Sequence, residues 1–153
     1  MENTNTKTCQ ICGRPIKAKN GIIAHHGYKR PDYGWQTQSC MGARNLPYEE
    51  SCDVIPVAIE SLKTYLFNER NRLNNIMTNP PEELQRSEFT GKEGRHMVTH
   101  KKKADFNPNK LYGYNGYESA FSSLKYEIER NIKSADKNIE YLEERLRNWV
   151  HVG

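Results

Sequence analysis

Residues 9–26 of the chain, CQICGRPIKAKNGIIAHH, decide the fold of its first part. Two cysteines, Cys9 and Cys12, are separated by two residues, a spacing that lets both sulfurs turn toward one ion. Gly13 follows directly and lets backbone amides come close to the thiolates. The stretch therefore predicts a metal-binding turn.

The remainder of this stretch predicts where further ligands come from. An Asn-Gly pair at positions 20–21 lies between two short apolar runs, which indicates a β-hairpin. The hairpin ends at His25-His26, and Cys40 follows in the next loop. Because consecutive side chains of a strand point to opposite faces, only one histidine is expected to bind the ion. We take His25 as that ligand with His26 as its alternative, and Cys40 with Cys52 as its alternative.

The composition favours a metal site over disulfides. All four cysteines lie between positions 9 and 52, and in a reducing compartment such a cluster binds metal. Apolar residues make up 35% of the chain and the mean hydropathy is −0.94, so an ion would compensate for a thin core. Three thiolates and one imidazole suit Zn²⁺ in a closed, structural site.

The CxxCG turn resembles the zinc knuckle of treble-clef and zinc-ribbon proteins, here in a Cys3His form. The resemblance is confined to the first part of the chain. It implies a small zinc-finger module in which the metal ion has a structural role.

Two helices are predicted in the rest of the chain. Apolar residues recur at helical spacing over 56–77, as far as an Asn-Pro-Pro stop. A second helix is predicted over 118–150, where the mean step between apolar residues is about 3.5, the coiled-coil period. Its stripe is Phe121, Leu124, Ile128, Ile132, Ala135, Ile139, Leu142, Leu146 and Trp149. The shorter helix leaves part of this stripe uncovered, so we expect a homodimer or another protein to cover it.

These patterns predict an α+β fold with three parts. Residues 1–8 form a polar tail, 9–55 form the zinc-binding module with its short β-hairpin, and 56–153 form a long, coiled-coil-like antiparallel helical hairpin. Within the hairpin, a short helical turn is predicted at 82–88, and a long basic and aromatic loop over 89–117. No apolar run reaches the roughly 20 residues of a membrane span, so a cytoplasmic protein is expected.

Two groups of basic and aromatic residues are candidate nucleic-acid contacts. Residues 91–117 carry six basic and two acidic side chains, an excess equal to the net charge of +4 of the whole chain. Lysines supply phosphate affinity, and neighbouring tyrosines can stack on unpaired bases. The same residues would also suit a solvated loop. The candidate contacts are Lys29, Arg30, Lys101, Lys102, Lys103, Tyr112 and Tyr114.

Three classes of function fit these features. The first is a zinc-stabilised protein that binds DNA or RNA, such as a small phage or mobile-element regulator. The second is an adaptor or inhibitor that docks onto a larger protein through the finger and the long helix. The third is an HNH-like nuclease, which the CxxC turn, the His25-His26 pair, Asn45 and a later His96 or His100 beside lysines loosely resemble. The acidic residue expected beside the first histidine is absent, so we expect a binding protein rather than an enzyme.

Overall fold

The computed structural model describes residues 5–27, 39–110 and 116–150 of the chain. They form an α+β fold with a three-stranded and a two-stranded antiparallel sheet and two long helices. The predicted α+β class is therefore confirmed. The chain divides into two compact units, one formed by Met1–Thr64 with Lys137–Gly153 and the other by Tyr65–Asp136.

The sheet of the first unit contains strands β1 (Thr6–Thr8), β2 (Pro15–Lys19) and β3 (Ile22–Ile23). Strand β2 pairs antiparallel with both neighbours. The turn between β2 and β3 has positive φ at Asn20 (53°) and Gly21 (77°), the backbone of a type I′ hairpin turn. The hairpin predicted from this Asn-Gly pair is confirmed.

Helix α1 spans Val54–Thr78, two residues longer at its start than predicted. Its first amide, that of Val54, donates to the side chain of Gln10, a partner that lies far away in sequence. The helix ends where the Pro80-Pro81 pair begins, because proline cannot continue the backbone ladder. Its first part belongs to the first unit and its second part to the second unit.

Helix α2 spans Gly116–Arg147, so the predicted long helix is confirmed with an earlier end. The residues of the predicted apolar stripe are all buried or half-buried within the chain, and Trp149 lies beyond the end of α2. In the second unit, Arg70 of α1 binds Asp136 and Arg72 approaches Glu127, so the two helices run antiparallel there. A coiled coil and a homodimer through α2 stay predictions.

The prediction of a helical turn over 82–88 and an irregular loop over 89–117 is wrong for much of that segment. Strands β4 (Glu83–Phe89) and β5 (Arg95–Lys101) form a two-stranded antiparallel ribbon, closed at its tip by a 3₁₀ turn at Gly91–Glu93. The ribbon escaped detection because its inward face is mostly polar, and apolar alternation is the main sequence signal of a strand.

On that inward face, Leu84 packs against the core formed by α1 and α2, and polar contacts supply much of the rest. Arg86 donates to Glu88 at 3.0 Å and to the Ser119 hydroxyl of α2 at 2.8 Å. Glu88 also accepts a 2.6 Å hydrogen bond from His100. This network attaches the ribbon to α2 without the apolar residues that sequence patterns reveal.

The core of the second unit is aromatic. Tyr117 and Phe121 of α2 are buried with Ile76 of α1. Phe106 packs edge-on against both rings, at 4.7 and 5.0 Å between centroids. An aromatic residue in the segment predicted as a loop therefore holds the chain after β5 onto the helices.

Neither helix in the described part of the chain has the length and apolar character of a membrane span.

Candidate metal centre

The first half of the centre is a tight turn after β1. The amide of Gly13 donates to the carbonyl of Cys9 at 3.1 Å, and the amide of Cys9 donates to the carbonyl of Arg14 at 3.0 Å. Gly13 has φ of 70°, a left-handed conformation that the turn requires. The turn aims the amides of Ile11 and Cys12 at the sulfur of Cys9. Such amides favour a thiolate.

The second half of the centre contains His26 and Cys40. The amide of Cys40 donates to the carbonyl of His26 at 2.7 Å, which fixes the two residues beside each other. Nδ1 of His26 donates to the carbonyl of Ala24 at 2.8 Å. This bond orients the ring and leaves Nε2 with a free lone pair, the arrangement common in metal-binding histidines.

These two halves bring together the Cys3His group, which consists of Cys9, Cys12, His26 and Cys40. All four ligand atoms lie within 4.8 Å of one another. The Sγ atoms of Cys9 and Cys40 are 3.9 Å apart, and Sγ of Cys12 is 3.3 Å from Nε2 of His26. Tetrahedral Zn²⁺ with ordinary bond lengths would separate two sulfurs by about 3.8 Å and a sulfur from a nitrogen by about 3.5 Å. The group could therefore hold a metal ion, and its spacing fits zinc.

The thiols of Cys9 and Cys40 share a hydrogen bond, and their pKa values shift in opposite directions. The hydrogen bond between Cys9 and Cys40 lowers the pKa of Cys40 to about 7 and, together with burial, raises the pKa of Cys9 to about 12. One sulfur is thus poised to lose its proton near neutral pH. Ligand thiols must be deprotonated to bind metal, so Cys40 is close to its ligand form at neutral pH, whereas the ion would have to displace the proton of Cys9.

Gly42 allows the chain to return close to the first turn. A Cβ atom at this position would collide with Sγ of Cys9, so only glycine leaves room for the sulfur. The amide of Gly42 also points at the sulfur of Cys40. The Cys40-Met41-Gly42 sequence therefore resembles the first turn, because in both places backbone amides point at a cysteine sulfur.

The prediction that His25 belongs to the group differs from the structure, which places His26 there. Nε2 of His25 accepts from Arg44 at 2.7 Å, and its Nδ1 is 3.0 Å from the hydroxyl of Ser39. The physical reason is the alternation of neighbouring side chains, which sends His26 inward, where it is 7% exposed, and His25 to the surface. Cys52 is half-buried and lies outside the group.

Gln10 holds the first turn against helix α1. No sequence pattern predicted this role. Its side chain is fully buried. Nε2 donates to the Leu46 carbonyl at 2.9 Å and to the Asp53 carboxylate at 3.0 Å, and Oε1 accepts from the Val54 amide at 3.0 Å. The spacer of the CxxC turn therefore caps the start of α1.

Arg145 ties the same turn to helix α2. Its guanidinium donates to the carbonyls of Gln10 at 3.0 Å and Cys9 at 3.1 Å. It also lies 4.0 Å from the ring centroid of Tyr48, whose hydroxyl donates to the Arg145 carbonyl at 2.6 Å. No local motif marks Arg145, because the two carbonyls to which it donates lie 135 and 136 positions earlier in the chain.

The predicted nucleic-acid contacts are only partly described. Lys29, Arg30, Tyr112 and Tyr114 lie outside the described residues. The others form a segment, Lys101–Lys103, at the end of β5. Two of its three lysines are paired there, one with Glu83 at 3.6 Å and one with Glu82 at 3.2 Å.

Two residues of the nuclease-like pattern, Asn45 and His96, make hydrogen bonds to nearby backbone carbonyls. Asn45 donates through its amide to the carbonyls of Met41 and Ala43. His96 contacts the carbonyl of Glu93 at 2.9 Å. These contacts stabilise turns.

Comparison of the chain with protein-family models, with curated proteins and with solved structures gave no match. The Cys3His group and the exposed surface of the β4–β5 ribbon are therefore the basis for assigning a function.

Proposed function

We propose that the protein is a zinc-stabilised nucleic-acid-binding protein. The observation that carries the zinc part is the Cys3His group, whose four ligand atoms lie within 4.8 Å of one another. Four protein ligands fill a tetrahedral shell and leave no position for a reacting water, so the ion is structural. Zn²⁺ would join the strands of the first unit to both helices through Gln10 and Arg145.

The ribbon supports the nucleic-acid part of the proposal. Lys92, Arg95 and Lys103 are exposed, and among the described residues no carboxylate lies within ion-pair distance of them. They leave positive charge available for phosphates, although the two neighbouring lysines at the end of β5 are paired. A two-stranded ribbon also has a width that DNA grooves can admit.

Metal analysis tests the zinc part. Protein purified without added chelator should contain about one zinc ion per chain, and removing the ion should unfold the first unit. Purified protein without bound metal, or with an unfolding curve that a chelator leaves unchanged, would contradict the assignment.

A salt titration tests the nucleic-acid part. The zinc-loaded chain should bind mixed-sequence oligonucleotides at about 50 mM salt and lose affinity steeply toward about 200 mM. The double variant Arg95→Ala with Lys103→Ala should reduce the slope of log K against log salt by about 2, about one per phosphate contact. Lys133→Ala, an exposed lysine on α2, is the matched control and should leave the slope unchanged. No measurable affinity for DNA or RNA at low salt would contradict the proposal.

A protein-binding adaptor is the second candidate function. The observation that favours it is the exposure of Phe89 and Met97 on the ribbon, 72% and 64% respectively. Aromatic and methionine side chains are enriched at protein interfaces. An adaptor would retain one stoichiometric protein from its host and lose it in a Phe89→Ser variant.

A further inference from the structure

The tip of the β4–β5 ribbon presents apolar and basic side chains on one face. Phe89 is paired with Arg95 across the strands, and Ser87 is paired with Met97. Residues that face each other across an antiparallel pair point to the same side, so Phe89, Arg95 and Met97 share a face. We call these three residues the ribbon tip. The face opposite to them carries the polar network that attaches the ribbon to α2.

The ribbon tip contributes nothing to the core. Phe89 is 72% exposed and Met97 is 64% exposed. A Cβ atom at Gly91 or Gly94, on either side of the 3₁₀ turn at the end of the ribbon, would have no neighbouring side chain or distant backbone within 4 Å. The end of the ribbon is therefore surrounded by open space. Two large apolar side chains are therefore held there in regular structure, available for contact with a partner.

The apolar surface of the ribbon tip is too small to hold a protein partner or a second copy by itself. Phe89 and Met97 together offer about 270 Å², taking roughly 200 Å² for each fully exposed side chain. A stable protein interface needs about 800 Å² from each partner. Pairing β5 with β5 of another copy about its central residue, Val98, would place Arg95 opposite Lys101, and like charges in that position repel.

Duplex DNA matches this surface in size, and the two cations Lys92 and Arg95 outnumber Glu93, the exposed carboxylate of the closing turn. Proteins that kink DNA insert one or two apolar side chains between neighbouring base pairs from the minor groove and place basic side chains on the flanking backbone. Phe89 and Met97 are diagonal neighbours on the ribbon face, about 7–8 Å apart, so they can act as one wedge. Arg95 adjoins them, and Lys92 lies in the closing turn.

We infer that the ribbon tip is an apolar wedge that inserts into duplex DNA and kinks it. This inference rests on the proposed nucleic-acid-binding function and names its substrate class as double-stranded DNA. Arg95 and Lys92 hold the backbone on either side of the opened step. Pyrimidine–purine steps are the preferred sites, because they unstack most easily.

A bending assay with the zinc-loaded full chain tests the inference. A duplex of about 30 base pairs with a central TA step carries a donor and an acceptor dye at its two ends. Binding should shorten the distance between the dyes and raise energy transfer. The variant Phe89→Ser with Met97→Ser should lose this rise and bind the duplex at least about tenfold more weakly, because unstacking is no longer driven by apolar insertion. Single-stranded DNA and double-stranded RNA of the same sequence should bind more weakly than the duplex.

Two further variants test whether the loss of bending is specific to the apolar wedge, as opposed to the loss of any exposed aromatic ring or of positive charge. Tyr126→Ser removes an aromatic ring of α2 that is 66% exposed, and it should leave both bending and affinity unchanged. Arg95→Ala with Lys103→Ala should weaken binding while the complexes that form remain bent. Both ribbon variants should unfold at the wild-type temperature, because the changed side chains are exposed.

The outcomes distinguish the two proposals. The wedge is supported if the wild-type chain bends the duplex and the variant Phe89→Ser with Met97→Ser does not. Duplex binding without bending, or equal binding of single strands, overturns the wedge and leaves the nucleic-acid function intact. Absence of binding to every nucleic acid overturns both.

Discussion

Replacing Gln10 by alanine should destabilise the protein strongly, although the residue is a polar spacer between two cysteines. Its side chain is fully buried and makes three hydrogen bonds, to the Leu46 carbonyl, the Asp53 carboxylate and the Val54 amide. Gln10→Ala removes all three and leaves a small cavity.

The magnitude follows from the partners that lose a bond. Each neutral hydrogen bond contributes about 1 kcal/mol, and a buried group left unpaired costs about 1–3 kcal/mol. The Asp53 carboxylate keeps its 2.5 Å bond from Ser51, so the main losses fall on the Leu46 carbonyl and on the first amide of α1. We expect the free energy of unfolding to fall by about 3 kcal/mol, which for a chain of this size lowers Tm by about 6–12 °C.

Denaturant unfolding followed by circular dichroism measures this change in the zinc-loaded protein. Gln85→Ala is the matched control, because Gln85 is an exposed glutamine on β4, and it should change stability by less than about 0.5 kcal/mol. Gln10→Glu keeps the shape but directs a carboxylate oxygen at the Leu46 carbonyl and the Asp53 carboxylate. It should be at least as destabilising as alanine at neutral pH.

The reasoning would be refuted if Gln10→Ala and Gln85→Ala lowered stability equally. A stable Gln10→Glu variant at pH 7 would show that the assigned donor and acceptors of this side chain are wrong.

Three further predictions concern the centre and the ribbon. His26→Ala should abolish stoichiometric zinc binding, whereas His25→Ala should retain about one ion per chain. Metal analysis of the two purified variants measures this difference. Loss of zinc in both variants would contradict the ligand assignment. Arg145→Ala should lower zinc affinity about 10–100-fold in a chelator competition. Arg145→Lys should recover part of this loss, because lysine keeps the positive charge and its donors but lacks the planar fork that holds two carbonyls in a fixed geometry. Hydrogen bonds, first from His100 and then from an arginine, hold the pKa of Glu88 below its ordinary value of 4.5. Glu88 therefore stabilises the fold above about pH 4.5 and less as the pH falls through its folded-state pKa. The difference in stability between the wild type and Glu88→Gln should be largest above about pH 4.5 and should shrink as the pH falls below that value.

The parts of the fold that were predictable from sequence are those with local causes. The type I′ turn at positions 20–21 needs residues that tolerate positive φ, and Asn-Gly supplies them. The two helices follow from apolar spacing, which depends only on the geometry of one helix. The ribbon at 83–101 has no such signal, because its inward face is held by Arg86, Glu88 and His100, and polar side chains alternate without leaving a hydrophobic pattern.

The sequence by itself determined that Cys9 and Cys12 lie in one turn with sulfurs close enough to share an ion, since a spacing of two residues and the glycine that follows have local effects. Only the tertiary structure decided which histidine joins them, because the direction of His26 depends on how the chain leaves β3 and returns at Cys40. It also decided that Gln10 and Arg145 hold the turn. Hydrogen bonds between residues far apart in sequence depend on where the helices pack, and no local pattern encodes that.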